Sequence, residues 1–376
     1  MKKLALITIL LLILCSCTVS KGESIPDTTA KDTTVKAVWI FYRELSMVNE
    51  QGGTAQSFET KINKIFSDCK SMGLNTVFVQ VRPFSDSFYP SDIFPWSEYL
   101  TGEQGKSVKY DPLKIMLNCA DKYDLSFHAW INPFRISFKT DFSELSAEHP
   151  ALNFEKNKDV FTSDGGIYFN PASIKAQRII LDGIKEIVRN YNVDGIHIDD
   201  YFYPTTDEVI DEEQYNKYKK NGGLLSLYSW RLQNINAFVS GMYQSVKMIN
   251  PNVIVSVSPA GNINNNYETQ YADVELWCSQ KGYCDMIIPQ LYFGFNHETL
   301  PFISTLHQWS ELNINSDIKL ICGIGAYKAV SPENDEWKST DIINKQIDVV
   351  SASEHYDGYC LFSYSSLTKL EYKHIQ

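Results

Sequence analysis

The amino-acid sequence predicts an α/β fold, a single (β/α)₈ TIM barrel, and three observations support that prediction. Short apolar runs alternate with stretches of helical periodicity along most of the chain. Eight such runs occur, which is the number of strands that closes a parallel barrel. The segments that follow the runs are rich in charged, amide and aromatic side chains, as expected for the end of a barrel that carries an active site.

The predicted elements alternate from residue 37 onward. The predicted strands are apolar and span residues 37–41, 76–81, 126–131, 195–199, 253–257, 286–289, 319–323 and 358–362. The predicted helices span residues 58–72, 111–123, 173–190, 226–249, 299–313 and 341–352. Asp111-Pro112 and Asn170-Pro171 place a capping residue and a proline at helix starts. We expect the connection over residues 260–283 to be irregular and the eighth helix to be short.

A doubly wound open sheet is the structural alternative, because it is built from the same alternation of strand and helix. Such sheets commonly bind nucleotides through a glycine-rich turn after the first strand. No such turn follows residue 41, so the sequence favours the barrel.

The N-terminus has the features of an export signal. A positively charged Met-Lys-Lys start is followed by an apolar run, Leu4 to Leu14, that is too short to cross a bilayer. The next residues, Leu14-Cys15-Ser16-Cys17, resemble a bacterial lipobox in which Cys17 is the lipidated residue, since a small residue precedes it. An ordinary secretory signal is the alternative, and either signal predicts an extracytoplasmic protein.

Three segments follow from this interpretation. Residues 1–16 are expected to be a signal peptide, and residues 17–34 a lipidated cysteine with a polar tether to the membrane. Residues 35–376 are expected to form the barrel. The six cysteines of that segment lack the paired spacing of a zinc site, so buried free thiols are expected for most of them, with a local Cys278–Cys284 disulfide as the alternative.

The composition narrows the classes of partner. Hydrophobic residues make up 44% and charged residues 21%, which is typical of a globular protein. The net charge of −11, without a basic patch, argues against a nucleic-acid partner. Aromatic residues make up 13%, which suits either a carbohydrate-binding surface or a large core.

The ends of the predicted strands concentrate chemistry-bearing side chains. In a barrel, the active site lies at the C-terminal strand ends. The residues there are Tyr42, Glu44, Arg82, Asp86, Tyr89, His128, Trp130, Asn132, Arg135, His197, Asp199, Asp200, Tyr201, Tyr203, Ser258, Asn262, Asn266, Gln290, Tyr292, Tyr327 and Lys328. Strand alternation turns Asp199 into the barrel if the apolar Ile196 and Ile198 face the helices.

Two carboxyl groups are the usual requirement for breaking a glycosidic bond. Asp199 is the leading candidate, and its partner is Asp200, Asp86 or Glu44. A carboxylate that only orients its neighbours is the alternative for Asp199. A metal site on His128, His197 and Asp199 is a further alternative, although no His-x-His pair marks the first strand, and we expect neither metal nor cofactor.

Six stretches together resemble the glycosyl-hydrolase-like family 10 proteins, also known as domain of unknown function 187. They are VFVQVRPFSDSFYPSDIFPWSEYLTGEQGK, FHAWINPFR, VDGIHIDDYFYP, VSPAGNINNNY, DMIIPQLYFGF and GIGAYK. The resemblance covers about residues 36 to 366. It implies a TIM barrel with glycosidase activity on peptidoglycan glycan strands, especially those without stem peptides, and many family members are secreted or lipid-anchored.

The site is predicted from two sources, the family's pattern carried over position by position and the residues at the strand ends. Asp199, Asp200 and Asp86 are the predicted catalytic residues. The predicted substrate-binding residues are Arg82, His128, Trp130, Asn132, Arg135, Tyr201, Tyr203, Asn262, Gln290 and Tyr292. Ser85 and Ser87 stand where relatives often have Gly and Ala around the aspartate, a mild departure that leaves Asp86 in place.

The fourth-strand pattern also differs from that of family 18 chitinases, DxxDxDxE. His197 takes the place of the middle Asp and Tyr201 that of the final Glu, the general acid. The sequence therefore argues against chitinase-type, substrate-assisted chemistry.

Together these observations predict a surface-anchored hydrolase of cell-wall glycan. Its expected partners are the glycan and, through Cys17, the membrane, and a monomer is expected. The alternatives are a hydrolase of a secreted exopolysaccharide and a non-catalytic glycan-binding lipoprotein, since a fold does not guarantee an activity.

Overall fold

The computed structural model describes residues 33–372 except positions 155, 157 and 340. Cys17 and the predicted signal peptide therefore lie outside the described residues. The strands are β1 (Val35–Ile40), β2 (Thr76–Arg82), β3 (Ser126–Ile131), β4 (Arg135–Ser137), β5 (Val160–Ser163), β6 (Gly166–Phe169), β7 (Gly195–Ile198), β8 (Ile254–Val257), β9 (Met286–Ile287), β10 (Lys319–Ile324) and β11 (Gly358–Phe362).

Eight parallel strands close the barrel, as the sequence predicted. Their order around it is β1, β2, β3, β7, β8, β9, β10 and β11, and β11 pairs back onto β1. The register at closure joins Val35 to Gly358 and Trp39 to Phe362. Strand β7 is the fourth in this order and β11 the eighth, so these two strands face each other across the barrel.

The helices surround the barrel, and all six predicted helices are present within a few residues of their predicted bounds. They are α1 (Ala55–Ser71), α2 (Glu98–Thr101), α3 (Pro112–Lys122), α4 (Ile174–Asn190), α5 (Glu212–Lys220), α6 (Leu227–Ile249), α7 (Ile263–Glu268), α8 (Val274–Ser279), α9 (Phe302–Leu312), α10 (Tyr327–Val330), α11 (Asp341–Ser351) and α12 (Tyr364–Lys369). The irregular connection contains only the short α7 and α8, and the last helix is short, as expected.

Side-chain caps explain where the long helices begin. The Thr54 hydroxyl accepts from the Ser57 amide, and the Ser57 hydroxyl accepts from the Thr54 amide, which forms a capping box at α1. Asp111 accepts from the Lys114 amide at α3, where Pro112 is the first helical residue, and Ser173 caps α4 in the same way.

A three-stranded antiparallel sheet, with strand order β4, β6, β5, was not predicted from the sequence. It is inserted between β3 and α4. Strands β5 and β6 form a hairpin whose turn residues, Asp164 and Gly165, have φ values of +45° and +75°. An Asp-Gly pair between two apolar runs favours such a hairpin, because both turn positions need a positive φ. The sheet begins at Arg135, so it helps to position that side chain.

The interior of the barrel is filled by large apolar side chains. Trp39, Phe78, Trp130, Ile288 and Ile321 pack together there and are almost completely buried. A second and larger group of apolar residues packs between the strands and the helices. The site at the C-terminal strand ends therefore rests on a packed aromatic floor.

The described residues contain six cysteines, and all six are free and buried. The alternative disulfide between Cys278 and Cys284 is absent, and the Cys284 thiol contacts the carbonyl oxygen of Trp277 at 3.7 Å. Within the described part of the chain, no helix is both long enough and apolar enough to span a bilayer.

Candidate active site

A cavity of about 380 Å³ opens at the C-terminal ends of the barrel strands. The residues that line it come from nearly every strand end: Trp39, Phe41, Tyr42, Gln80, Trp130, Arg135, Phe138, Asp199, Asp200, Tyr201, Ser258, Gln290, Tyr292, Tyr327 and Phe362. The structure thus brings together Asp199, Asp200 and five of the ten predicted substrate-binding residues.

Asp199 follows β7 and lies at the bottom of the cavity. Its Oδ2 accepts hydrogen bonds from Trp130 Nε1 at 2.9 Å and from Asn132 Nδ2 at 3.4 Å. Its Oδ1 is also buried and has no hydrogen-bond partner among the described residues. Burial raises the pKa of Asp199 to about 7, and the negative charge of Asp200 adds to the shift.

Asp200 is less buried than Asp199 and lies nearer to the rim. Burial raises its pKa as well, but hydrogen bonds from the side chains of Gln290 and Gln270 favour the ionised form and oppose that shift. Gln290 also donates to the Ser258 carbonyl oxygen at 3.1 Å, which ties Asp200 to the end of β8. The two carboxyl groups therefore have different partners: Asp199 accepts from an indole N–H and the Asn132 amide, and Asp200 accepts from two glutamine amides.

Arg135 contributes a positive charge to the cavity wall. Its guanidinium lies 4.3 Å from the ring centre of Phe138, 4.2 Å from that of Tyr201 and 5.0 Å from that of Phe84. Stacking on aromatic faces holds such a group in place while leaving its N–H donors available. Its positive charge lowers the pKa of Asp199 and partly offsets the effect of burial.

The wall that faces Asp199 is aromatic. Phe362 ends β11, the strand opposite β7, and its ring stacks against Tyr292 at 6.0 Å and meets Phe41 at 6.0 Å. Tyr327 meets the edge of Tyr292 at 5.8 Å. Trp39 lies beneath them. Flat apolar faces of this kind suit the faces of sugar rings.

The two histidines lie below the cavity and have structural roles. His197 Nε2 accepts from Trp39 Nε1 at 3.0 Å, so Nδ1 carries the proton and donates to Ser256 Oγ at 2.9 Å. Burial lowers the pKa of His197 well below its usual value and lowers that of His128 to about 3. His128 is buried against Phe78 and Gly195. Because neither His197 nitrogen is free, the alternative metal site on His128, His197 and Asp199 is not formed.

Among the described residues, no group of three or more His, Cys, Asp and Glu side chains could hold a metal ion.

Asp86 does not line the cavity of Asp199. It lies in a neighbouring cavity of about 230 Å³, which shares the Phe138 ring with the larger one. Asp86 is completely buried, and its Oδ1 accepts from the Phe84 amide at 3.3 Å. Burial raises its pKa to about 7, although a hydrogen bond from Ser97 opposes the shift.

Arg82 lies outside the cavity, contrary to the alternation of β2. Phe78 and Gln80 face the interior, but a bulge between Gln80 and Arg82 shifts the register against β3. The Arg82 guanidinium is buried on the outer side, 4.5 Å from the Phe94 ring centre, and donates to the Ile180 carbonyl oxygen of α4 at 3.4 Å. A bulge adds one residue to a strand and changes the side to which later residues point.

Three further candidates have local structural roles. Asn262 caps α7 by accepting from the Asn264 amide. The Tyr203 hydroxyl donates to Asp211 at 3.2 Å, beside a buried ion pair. Glu44 accepts from the Phe41 amide and the Ser363 hydroxyl, so it joins the ends of β1 and β11 and does not line the cavity.

Several lining residues were not among the predicted site residues. Gln80 and Trp39 face the interior of the barrel, and the alternation of side chains along β2 and β1 could have indicated this from the sequence. Phe362 ends the last predicted strand, so the same rule that found Asp199 applies to it. Phe138 follows β4, whose presence was not predicted, and no sequence signal indicated its position.

Comparisons with known proteins agree with this geometry. The Glycosyl hydrolase-like 10 family model matches residues 34–340. The chain is 34% identical over 352 residues to glycosyl hydrolase YngK of Bacillus subtilis, which covers 86% of this chain and 68% of the relative. It is 30% identical over 412 residues to glycosyl hydrolase DigH of Escherichia coli K12, covering 97% of this chain and 93% of the relative.

Solved structures show that the fold is shared more widely. The glycoside hydrolase domain of PgaB (BpsB) from Bordetella bronchiseptica aligns with a TM-score of 0.63 at 10% identity, over 91% of this chain and 99% of that one. The beta-1,4-mannanase of the sea hare Aplysia kurodai aligns with a TM-score of 0.50 at 15% identity, over 91% of each chain. By its family match and its relatives, the chain belongs to the glycosyl hydrolase-like 10 family and is a glycoside hydrolase.

Proposed function

We propose that this enzyme hydrolyses the glycan strands of peptidoglycan at the outer surface of the bacterial membrane, with Asp199 as the general acid. The observation that carries the proposal is the Asp199 carboxyl group at the bottom of the cavity. Its Oδ2 is held by Trp130, and its buried Oδ1 lacks a partner among the described residues. Burial raises the pKa of Asp199 to about 7, so the carboxyl group holds its proton near neutral pH, which is the state a general acid needs.

The cavity chemistry supports a glycan that carries carboxylates. Arg135 lines the cavity, and its Nε is buried without a hydrogen-bond partner among the described residues. A strand of peptidoglycan without stem peptides exposes a free carboxylate on every second sugar, whereas a stem peptide converts that group into an amide. A guanidinium recognises a carboxylate through paired N–H donors, so Arg135 favours the peptide-free strand.

The first experiment compares purified peptidoglycan strands with and without stem peptides, with products identified by mass spectrometry. We expect the wild-type enzyme to cut the peptide-free strand, and Asp199→Asn to lose about 100-fold to 10,000-fold of that rate. Asp194→Asn is the matched control, because Asp194 is exposed at the opposite end of the same strand. Cleavage of a secreted exopolysaccharide with no cleavage of peptidoglycan would contradict the proposed substrate.

The second experiment tests the proposed anchor. Cys17→Ala should move the protein from the membrane fraction to the soluble extracytoplasmic fraction, while Cys15→Ala should leave it with the membrane. Release of both variants, or of neither, would contradict lipidation at Cys17.

A further inference from the structure

The acidic groups of the cavity all come from one side of it. Among the described residues that line the cavity, Asp199 and Asp200 are the only carboxylic acids, and they are consecutive residues at the end of β7. The opposite side, at the ends of β10, β11 and β1, presents the rings of Tyr327, Phe362 and Phe41. The cavity therefore has one acidic side and one aromatic side.

This arrangement is unusual for a hydrolase that works through two protein carboxyl groups. Both common mechanisms place the two groups on either side of the scissile bond, about 5–9.5 Å apart. Neither of the other candidate carboxylates lies opposite Asp199 in the cavity. Asp86 lies in the neighbouring cavity, and Glu44 accepts hydrogen bonds from Phe41 and Ser363. Among the described residues, the cavity thus has an acid but no carboxylate nucleophile on the opposite side.

We propose that the substrate supplies the nucleophile, which is the carbonyl oxygen of the 2-acetamido group on the sugar whose bond is broken. This inference rests on the proposed function, since both sugars of peptidoglycan carry such a group. It restricts the substrate class to 2-acetamido glycans. It also revises the prediction, made from the absence of the chitinase-type Glu, that substrate-assisted chemistry does not occur here. Asp199, two residues earlier, takes the role of that Glu, and the ring of Tyr201 stacks on Arg135.

The bonds change in two steps. First, the acetamido oxygen forms a bond to C1 while the bond from C1 to the leaving glycosidic oxygen breaks. Asp199 Oδ1 gives its proton to the leaving oxygen. The product is a cyclic oxazolinium ion. Then water attacks C1 and gives a proton to the Asp199 carboxylate, while the bond from C1 to the acetamido oxygen breaks. Two inversions at C1 leave its configuration retained.

Asp200 and Ser258 are placed to bind the acetamido group. Asp200 lines the cavity beside Asp199 and accepts hydrogen bonds from the side chains of Gln290 and Gln270, and its carboxyl group would bind the acetamido N–H next to the positive oxazolinium ion. The Ser258 hydroxyl is buried at the cavity wall without a partner among the described residues, and Gln290 links the Ser258 carbonyl to Asp200. An unpartnered buried hydroxyl is costly unless a ligand completes its hydrogen bonds.

The experiment uses the full-length enzyme on peptide-free glycan strands before and after chemical de-N-acetylation, with proton NMR of the first product. We expect retention at C1, loss of at least about 1,000-fold of the rate on the de-N-acetylated strand, and competitive inhibition by a thiazoline of N-acetylglucosamine. Asp200→Asn should lower kcat about 100-fold and move the alkaline limb of the pH profile to lower pH, because the charge of Asp200 helps to raise the pKa of Asp199.

The possible outcomes separate the two proposals. Inversion at C1, or equal cleavage of the acetylated and de-N-acetylated strands, would overturn this inference and leave the proposed function standing. No cleavage of acetylated peptidoglycan strands by the wild-type enzyme would overturn both.

Discussion

The indole of Trp130 donates a hydrogen bond of 2.9 Å to Oδ2 of Asp199, and Oδ1 of the same carboxyl group stays unpartnered among the described residues. The indole N–H can only donate, so Oδ2 must face it with a lone pair and not with a proton. The proton is therefore placed on Oδ1. Trp130 thus acts as a positioning residue for Asp199, and strand β3 fixes which oxygen of the residue that follows β7 reacts.

The first prediction concerns the dependence of activity on pH. Asp199 must be protonated to act as the acid, and burial raises its pKa to about 7. The rate should therefore fall as the pH rises through about 7. Measurement of kcat/KM on soluble glycan strands across the pH range tests this, and a rate that stays constant well above neutral pH would contradict the assignment.

The second prediction concerns Arg135. Its charge lowers the pKa of Asp199, so Arg135→Met should raise that pKa and move the alkaline limb to higher pH. Arg135→Lys keeps the charge and should leave the limb near its wild-type position, although weaker binding of the carboxylate-bearing strand is expected. Superimposable profiles for Arg135→Met and the wild type would show that the cation does not act on Asp199.

The third prediction concerns Asp86 and stability. Burial raises its pKa to about 7, so the folded protein holds the proton more tightly than the unfolded chain does. The resulting stability is complete below about pH 4 and is lost as the pH rises through about 7. Asp86→Asn should remove this dependence. When the pH is raised from about 5 to about 8, the unfolding free energy of the wild type should fall by on the order of 2–4 kcal/mol more than that of Asp86→Asn.

Denaturant unfolding at the two pH values measures that difference. Asp199 titrates in the same window, but it is present in both proteins, so its contribution cancels. Equal pH dependence in the two proteins would contradict the buried, neutral state of Asp86.

The fourth prediction concerns the ion pair beside Tyr203. Arg231 Nη2 lies 2.6 Å from Asp211 Oδ1, Arg231 Nε donates to Oδ2 at 2.9 Å, and both side chains are almost completely buried. Arg231→Met leaves the Asp211 charge buried alone and should cost about 3–5 kcal/mol of unfolding free energy. Tyr203→Phe removes only a neutral donor and should cost about 1 kcal/mol. Similar losses for both variants would refute this ranking.

The fifth prediction concerns the contact between Gly195 and His128. A Cβ atom on Gly195 would lie 2.1 Å from His128 Nδ1, so Gly195→Ala forces the imidazole to move in a packed interior. We expect Gly195→Ala to cost about 1–3 kcal/mol of unfolding free energy. In the His128→Ala background the same change should cost much less, and a double-mutant cycle measures the coupling. Additive effects would contradict the steric explanation.

The elements of the barrel could be predicted because each one has a local signal. Apolar runs marked the eight strands, and Asp111-Pro112 marked the start of α3. The hairpin of β5 and β6 also had a signal, the Asp164-Gly165 pair, but its flanking strands are only four residues long. Such short strands are easily taken for loop.

The site was predictable only where regular alternation continued to the end of a strand. Asp199 followed the alternation of β7 and lies in the cavity, whereas the bulge before Arg82 turned that residue toward α4. A bulge is a property of two strands in register, and one strand's sequence does not encode it. The roles of Asn262 and Tyr203 depended on partners that only the folded chain brings near, Asn264 and Asp211.

The six buried thiols have a consequence for how the domain can be made and handled. With no covalent cross-link among the described residues, the barrel does not depend on oxidative maturation, and it should fold equally well in reducing and oxidising surroundings. Burial also raises the pKa of thiols such as Cys278, which keeps them protonated and unreactive toward oxidants. The unfolding midpoint of the barrel should therefore be the same with and without a reductant, and its six described thiols should stay free in either condition.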